Sequence, residues 1–258
     1  MSLLGLQRDG SGPVLVWLHG FTQTKDSAHS FRSILAGTYE LLTLDLPGHG
    51  ENASISASLD ETATLLAEVL PDQPFMMGGY SMGGRVALHF ALRFPERLTD
   101  LVLLSSTFGI RDDDERAARR QRDDVLADHV EAIGTESFLH EWLAQPMFAA
   151  LPDDPLERAA RSRDARGLAN SLRHSGTGTQ AWLGRQLEGC RVPALVVAGA
   201  NDLKFVGEAK KIANTFAIST TSLVKDAGHA AHLEKPAAVA KIVARSAPVT
   251  VRREEHGE

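Results

Sequence analysis

Ser81 lies between two glycines in Gly79-Tyr80-Ser81-Met82-Gly83, and no other stretch restricts the chain as strongly. An apolar run at residues 74–77 precedes it, and a helical pattern at residues 84–94, closed by Pro95, follows it. This order predicts a buried strand that turns sharply into a helix. At such a turn the serine backbone takes a sparsely populated conformation, and the residues two places away must be small for strand and helix to approach so closely. The helix that starts there points its free N-terminal amides at the serine and favours negative charge developing beside it. A glycine turn around serine also arises by chance, but the flanking strand and helix give this one the setting of a nucleophile.

The rest of the chain alternates strand and helix. Residues 13–18 and 39–46 are apolar runs that end in His19-Gly20-Phe21 and Pro47-Gly48-His49-Gly50, with a helix predicted over residues 27–35 between them. Leu59, Ala63, Leu66 and Leu70 recur at helical spacing before Pro71, and further strands are predicted at residues 101–105, 194–199 and 221–224. Such alternation defines an α/β fold, a mostly parallel sheet with helices on both faces. Between residues 110 and 185 the sequence becomes helix-like and highly charged with no strand pattern, which predicts a helical lid inserted between two strands. Eleven of the chain's twenty arginines and none of its seven lysines fall there, but fourteen acids accompany them, so the segment is not simply basic. The expected organisation is a core of residues 1–109 and 186–245, a lid of residues 110–185, and a frayed, flexible tail from 246 to 258.

Length and charge narrow the function. A chain of 258 residues, 43% of them hydrophobic, suffices for one large domain with a substantial core. Its net charge of -6 argues against nucleic acid or an anionic membrane as the main partner, while leaving room for a local cationic pocket. The ten histidines are scattered without paired cysteines or an HExxH pattern, so neither a metal nor a cofactor is expected. Cys190 is the single cysteine and excludes an internal disulfide. The first residues lack the build of a signal peptide and no run of eighteen apolar residues exists, which makes a cytoplasmic setting the expectation.

Open parallel sheets bind ligands beyond the carboxyl ends of their strands. Ser81, Asp202 and His229 each follow an apolar run there. A serine hydroxyl needs a neighbouring imidazole to take its proton, and a carboxylate behind the imidazole fixes its tautomer. The chain order Ser, Asp, His suits that arrangement on this kind of sheet. The lesser alternative for Asp202 is a cap on the next helix, and His232 is a rival base. His19 and His49 are expected to shape loops. The backbone amides of Phe21 and Met82 are the natural donors to an oxyanion.

Together His19-Gly20-Phe21, Asp45-Leu46-Pro47-Gly48-His49-Gly50, residues 79–83, Asp202 and His229 resemble the alpha/beta-hydrolase family over the whole chain except the lid. More specific features resemble one branch of it. Arg85 stands four residues after Ser81, one helical turn on. The lid carries Glu115-Arg116-Ala117-Ala118-Arg119-Arg120-Gln121-Arg122, then Trp142 with Gln145-Pro146-Met147-Phe148, then Ala160-Arg161-Ser162. With Asn201-Asp202-Leu203-Lys204-Phe205 and Ala227-Gly228-His229-Ala230-Ala231-His232, these are similar, nearly end to end, to the 2-succinyl-6-hydroxy-2,4-cyclohexadiene-1-carboxylate synthase family of menaquinone biosynthesis.

That resemblance implies a lyase. The family's substrate carries a succinyl, a ring and an enolpyruvyl carboxylate, and removal of a ring proton expels pyruvate. It implies that Arg85, Arg120 and Arg161 hold these anionic groups, since the rigid guanidinium fork pairs with carboxylates. Tyr80 and Trp142 would shape the pocket, Lys204 would stand near its rim, and Arg166 is the alternative to Arg161. Ser81, activated by His229 and Asp202, would be the base, and the Phe21 and Met82 amides would stabilise the enolate. Arg116, Arg119 and Arg122 are expected on a solvated face or paired with acids. Two other readings stand beside this one: a carboxylester or carbon–carbon-bond hydrolase using the same three residues with water, and a non-enzymatic small-molecule receptor.

Overall fold

The structure, a computed structural model, describes residues 5–246. The tail expected from residue 246 therefore lies outside the described residues, apart from Ser246 at the end of the last helix. A single sheet combines β1 (Gln7–Asp9), β2 (Val14–Leu18), β3 (Glu40–Thr43), β4 (Phe75–Tyr80), β5 (Leu98–Leu104), β6 (Ala194–Gly199) and β7 (Ser219–Val224). Their spatial order is β1-β3-β2-β4-β5-β6-β7. Only β1 runs antiparallel to its neighbour, and every other pairing is parallel. Around the strands run α1 (His29–Ala36), α2 (Leu59–Val69) and α3 (Met82–Arg93). Then α4 (Asp113–Leu143), α5 (Pro155–Ala159), α6 (Ala165–Ser175) and α7 (Gly184–Glu188) lie between β5 and β6, followed by α8 (Leu203–Thr215), α9 (Ala231–Glu234) and α10 (Pro236–Ser246).

Alternation along β2 divides the core between the two faces of the sheet. Val16 and Leu18 pack with Leu66 of α2, Phe90 of α3 and Ile212 of α8. Leu15 and Trp17 pack on the other face with Phe31 of α1 and Val239 and Val243 of α10. Both faces are thus covered, which is why these strands read as unbroken apolar runs. Each fully buried aliphatic side chain contributes roughly 1.5–3 kcal/mol to that arrangement.

Some boundaries differ from the sequence expectation. β3 ends at Thr43, not at residue 46, because the next residues bond side chains in place of the sheet. The Asp45 carboxylate accepts from the Lys25 and Glu51 amides at 2.8 and 2.9 Å, and the Leu46 amide donates to His19 Nε2 at 2.9 Å. β1 has no apolar run to announce it. Ser105, expected inside a strand, turns out of the sheet at φ 48°.

Among the described residues no strand forms between 110 and 185. α4 is interrupted at Gly134, whose φ of 77° and ψ of 167° leave the helix. α4 and α6 face each other and share an apolar cluster of Ala127, Val130, Phe138, Leu168 and Leu172, separate from the two sheet faces.

Candidate active site

Ser81 occupies the tip of the turn between β4 and α3 with φ 51° and ψ -105°, a conformation that a non-glycine residue rarely adopts. Its neighbours must lack side chains. A Cβ at Gly79 would strike the Gly83 backbone, and one at Gly83 would strike the Leu18 carbonyl of β2. The Ser81 amide donates to the Leu104 carbonyl at 2.8 Å and the Ser106 hydroxyl donates to the Ser81 carbonyl at 3.0 Å, so β5 braces the turn.

β6 and β7 deliver the other two residues. The Ser81 hydroxyl donates to His229 Nε2 at 3.2 Å, and His229 Nδ1 donates to Asp202 Oδ2 at 2.8 Å. Asp202 also caps α8, its Oδ1 accepting from the Phe205 amide at 3.3 Å. Its two oxygens thus serve both functions that the sequence left open. His229 is buried between the Tyr80 and Phe205 rings, whose centroids lie 5.3 and 4.4 Å from its own.

His232 does not reach Ser81. It is sealed behind Tyr80, 4.3 Å between centroids, and its Nε2 faces Gln23 Nε2 at 3.3 Å. Gln23 Oε1 accepts from the Gly20 amide at 2.9 Å, so Nε2 is the Gln23 donor and His232 Nε2 the acceptor. Burial holds the His232 pKa down to about 3. His19 and His49 take the loop-shaping positions anticipated for them. His19 donates from Nδ1 to the Gly20 carbonyl and accepts from the Leu46 amide, while His49 bonds the Pro47 carbonyl and the Thr22 amide.

Ser81 and His229 open onto a cavity of about 1210 Å³, above the range usual for small-molecule sites. Phe21, Met82, Tyr80, Arg85, Trp142 and Lys204 all line it. Met82 is the first residue of α3, so its amide has no intrahelical acceptor. No hydrogen bond from the Phe21 amide occurs among the described residues. Trp142 lies against Phe21, Phe138 and Phe148, and its buried indole N–H has no partner among the described residues. Lys204 is exposed at the rim, 5.4 Å above the Phe205 ring.

Arg85 is 7% exposed, yet among the described residues its Nη1 has no hydrogen-bond partner and the side chain forms no ion pair. Burial and nearby Arg119 push its pKa down to about 10, with Asp123 opposing them. It remains a cation at neutral pH, held inside the cavity wall.

Two expected arginines are elsewhere. Arg120 is exposed and does not line the cavity, whereas Arg119 and Arg122 do. On α4 the inward face is made by residues 119, 122, 123 and 126, and residue 120 points about 100° away from residue 119. Arg161 is buried but off this cavity, bonding Thr22 and Glu157, and it lines a second cavity of about 270 Å³. Phe148 lines both cavities. Arg166, the alternative, is exposed and lines neither. The i, i+3, i+7 spacing of Arg119, Arg122 and Leu126 was the available signal for the inward face.

Among the described residues no cluster of histidine, cysteine or acidic side chains is arranged for a metal ion, and no helix is long and apolar enough to cross a membrane. The family model described as alpha/beta hydrolase matches residues 15–242. The chain is 33% identical over 254 residues to the 2-succinyl-6-hydroxy-2,4-cyclohexadiene-1-carboxylate synthase of Enterobacter sp. (strain 638), covering 95% of this chain and 96% of that one. It is similar to the solved structure of MenH from S. aureus, with a TM-score of 0.87 and 31% identity over 95% of this chain and 97% of that one. A thermophilic esterase from Thermogutta terrifontis, with a TM-score of 0.72 and 22% identity over 93% and 91% of the two chains, shares the fold.

Proposed function

The chain belongs to the alpha/beta hydrolase family and, within it, to the 2-succinyl-6-hydroxy-2,4-cyclohexadiene-1-carboxylate synthases, and from that premise we propose how its residues divide the work. The enzyme is a lyase of menaquinone biosynthesis. It converts 2-succinyl-5-enolpyruvyl-6-hydroxy-3-cyclohexene-1-carboxylate to 2-succinyl-6-hydroxy-2,4-cyclohexadiene-1-carboxylate and pyruvate.

The bond changes follow from the two compounds. The ring loses the proton beside the succinyl carbonyl, the ring double bond shifts, and the carbon–oxygen bond to the enolpyruvyl group breaks. The leaving enolate of pyruvate then takes a proton on carbon. In our reading His229, oriented by Asp202, accepts the Ser81 hydroxyl proton, and Ser81 Oγ removes the ring proton. Negative charge grows on the succinyl carbonyl oxygen, where the amides of Met82 and Phe21 supply fixed donors. The proton held on His229 is then available to the departing enolate.

The observation that carries this reading is the buried Arg85 guanidinium, whose Nη1 has no partner among the described residues, in the wall of the cavity onto which Ser81 opens. A hydrolase of uncharged esters has no use for it, whereas a substrate carboxylate supplies its missing acceptor. Arg119, Arg122 and Lys204 also line the cavity, whose wall mixes them with acids such as Asp112, Asp123 and Glu208, so the reading of a small polycarboxylate rests on Arg85 and not on a net positive lining. A cytoplasmic setting belongs to the same reading and is supported by the lone Cys190, which leaves no internal disulfide to form.

The test supplies enzymatically generated enolpyruvyl precursor to the purified protein and follows pyruvate release against the ultraviolet absorbance of the diene. Equal appearance of both, well above the spontaneous rate and absent from Ser81→Ala, is expected. Turnover of simple esters without pyruvate release would make the protein a hydrolase, and tight binding without turnover a receptor.

A further inference from the structure

Thr22, next to Phe21, carries a β-branched side chain at φ 69°, where such residues are outliers. A segment far along the chain holds it there. Arg161 Nη1 donates to Thr22 Oγ1 at 2.9 Å, and the Ser162 amide donates to the Thr22 carbonyl at 2.8 Å. Arg161 Nη2 pairs with Glu157 Oε1 at 3.2 Å. Glu157 in turn accepts from the Ala28 amide at 2.6 Å and from Gln23 Nε2 at 3.3 Å. Ala28 is also at positive φ, 60°. One ion pair, between a buried arginine and a half-buried glutamate, therefore secures both strained residues of the loop that carries Phe21, and it lies outside the lining of the Ser81 cavity.

We propose that Arg161 and Glu157 are positioning residues that hold Thr22 in its strained conformation and thereby aim the Phe21 amide at the oxyanion. The proposal rests on the roles given above to Ser81 and Phe21. A strained backbone persists only where its surroundings overdetermine it, and the hydroxyl of Thr22, not a substrate carboxylate, takes the Arg161 Nη1 hydrogen bond.

Arg161→Met, Thr22→Val and the double variant test this with two readouts. The first is kcat and KM for pyruvate release. The second is the rate at which an uncharged fluorophosphonate ester labels Ser81, which needs the oxyanion amides but offers no carboxylate to an arginine. Each single variant is expected to lower kcat and labelling about 100-fold, the effect of losing one oxyanion donor, while KM stays within about twofold. The double variant should be no worse than the poorer single, because both break the same link. Thr22→Ser, which keeps the hydroxyl, should stay near wild type.

A KM raised tenfold or more with unchanged labelling would make Arg161 a substrate ligand and overturn the proposal, as would wild-type labelling of Thr22→Val. If Arg161→Met loses its melting transition, Thr22→Val decides alone. If the wild type labels at Ser81 but releases no pyruvate, the synthase reading fails while the labelling rates still decide the positioning role.

Discussion

The Arg85 amide donates to the Ser81 carbonyl at 3.2 Å, closing the first turn of α3, so the same helix that presents the serine presents a buried guanidinium one turn later. Among the described residues that guanidinium has no acidic partner, and its Nη1 has no acceptor. An unpaired buried cation costs stability. Arg85→Met should therefore leave the melting temperature unchanged or raise it, while kcat/KM falls by about 100-fold, near 3 kcal/mol of lost carboxylate binding. Steady-state kinetics beside a thermal melt would check both halves. A large loss of stability with intact specific activity would reassign Arg85 to the scaffold.

Asp202 divides its oxygens between the His229 ring and the α8 amide of Phe205, so two substitutions separate its roles. Asn caps helices about as well as Asp, and Asp202→Asn should keep the melting temperature within a few degrees while turnover drops by about 10⁴-fold through loss of the charge and the correct His229 tautomer. Asp202→Ala should lose the same activity and in addition about 1 kcal/mol of stability. Equal melting temperatures for the two variants would remove the capping role.

Acid should unfold the protein through histidines that take no part in the chemistry. Burial holds His19 down to about 4 and His49 and His232 to about 3. For His19 and His49 the hydrogen bonds give the same answer, since a backbone amide donates to Nε2 of each and requires it bare. Because the folded pKa values lie below the unfolded value near 6.5, the unfolded chain binds more protons between them. Their contribution is complete above about pH 6.5 and is lost as pH falls toward about 4 for His19 and about 3 for His49 and His232, at about 1.4 kcal/mol per pH unit for each histidine. Urea melts at several pH values should be flat above neutrality and steep below pH 6. His232→Phe, which suits the aromatic surroundings of Trp17, Phe31 and Tyr80, should make the acid limb shallower.

The sequence carried the sheet and Ser81, Asp202 and His229 because each rests on local chemistry. Apolar runs become buried strands, and a nucleophile turn needs glycine where no Cβ fits. The place of Arg85 in the cavity wall was legible for the same reason, being one turn from Ser81. The segment at residues 110–185 was less so. α4 is highly charged and only weakly amphipathic, so the spacing of Arg119, Arg122 and Leu126 was too faint a signal to set Arg119 above Arg120, one step of the helix away. Arg161 shows another limit. Its acceptor Thr22 lies 139 residues away, and only the folded chain reveals that its Nη1 hydrogen bond is already taken.

The choice between those neighbouring arginines is testable. Arg120 is exposed and off the cavity, so Arg120→Ala should keep kcat/KM within about twofold. Arg119 differs because its Nε bonds the buried Asp123 Oδ1 at 2.8 Å, while Asp123 Oδ2 accepts from the Gly178 amide at 3.0 Å. Asp123 also acts electrostatically on Arg85. Without Arg119, the Asp123 carboxylate is left as a buried anion whose field already acts on Arg85, and it would compete with substrate for that guanidinium. Arg119→Ala should then raise KM by roughly tenfold, about 1.4 kcal/mol. Adding Asp123→Asn should restore much of the loss, because the competing charge is gone and the amide oxygen can still accept from Gly178. A double variant no better than Arg119→Ala alone would mean that Arg119 binds the substrate itself instead of keeping Arg85 free for it.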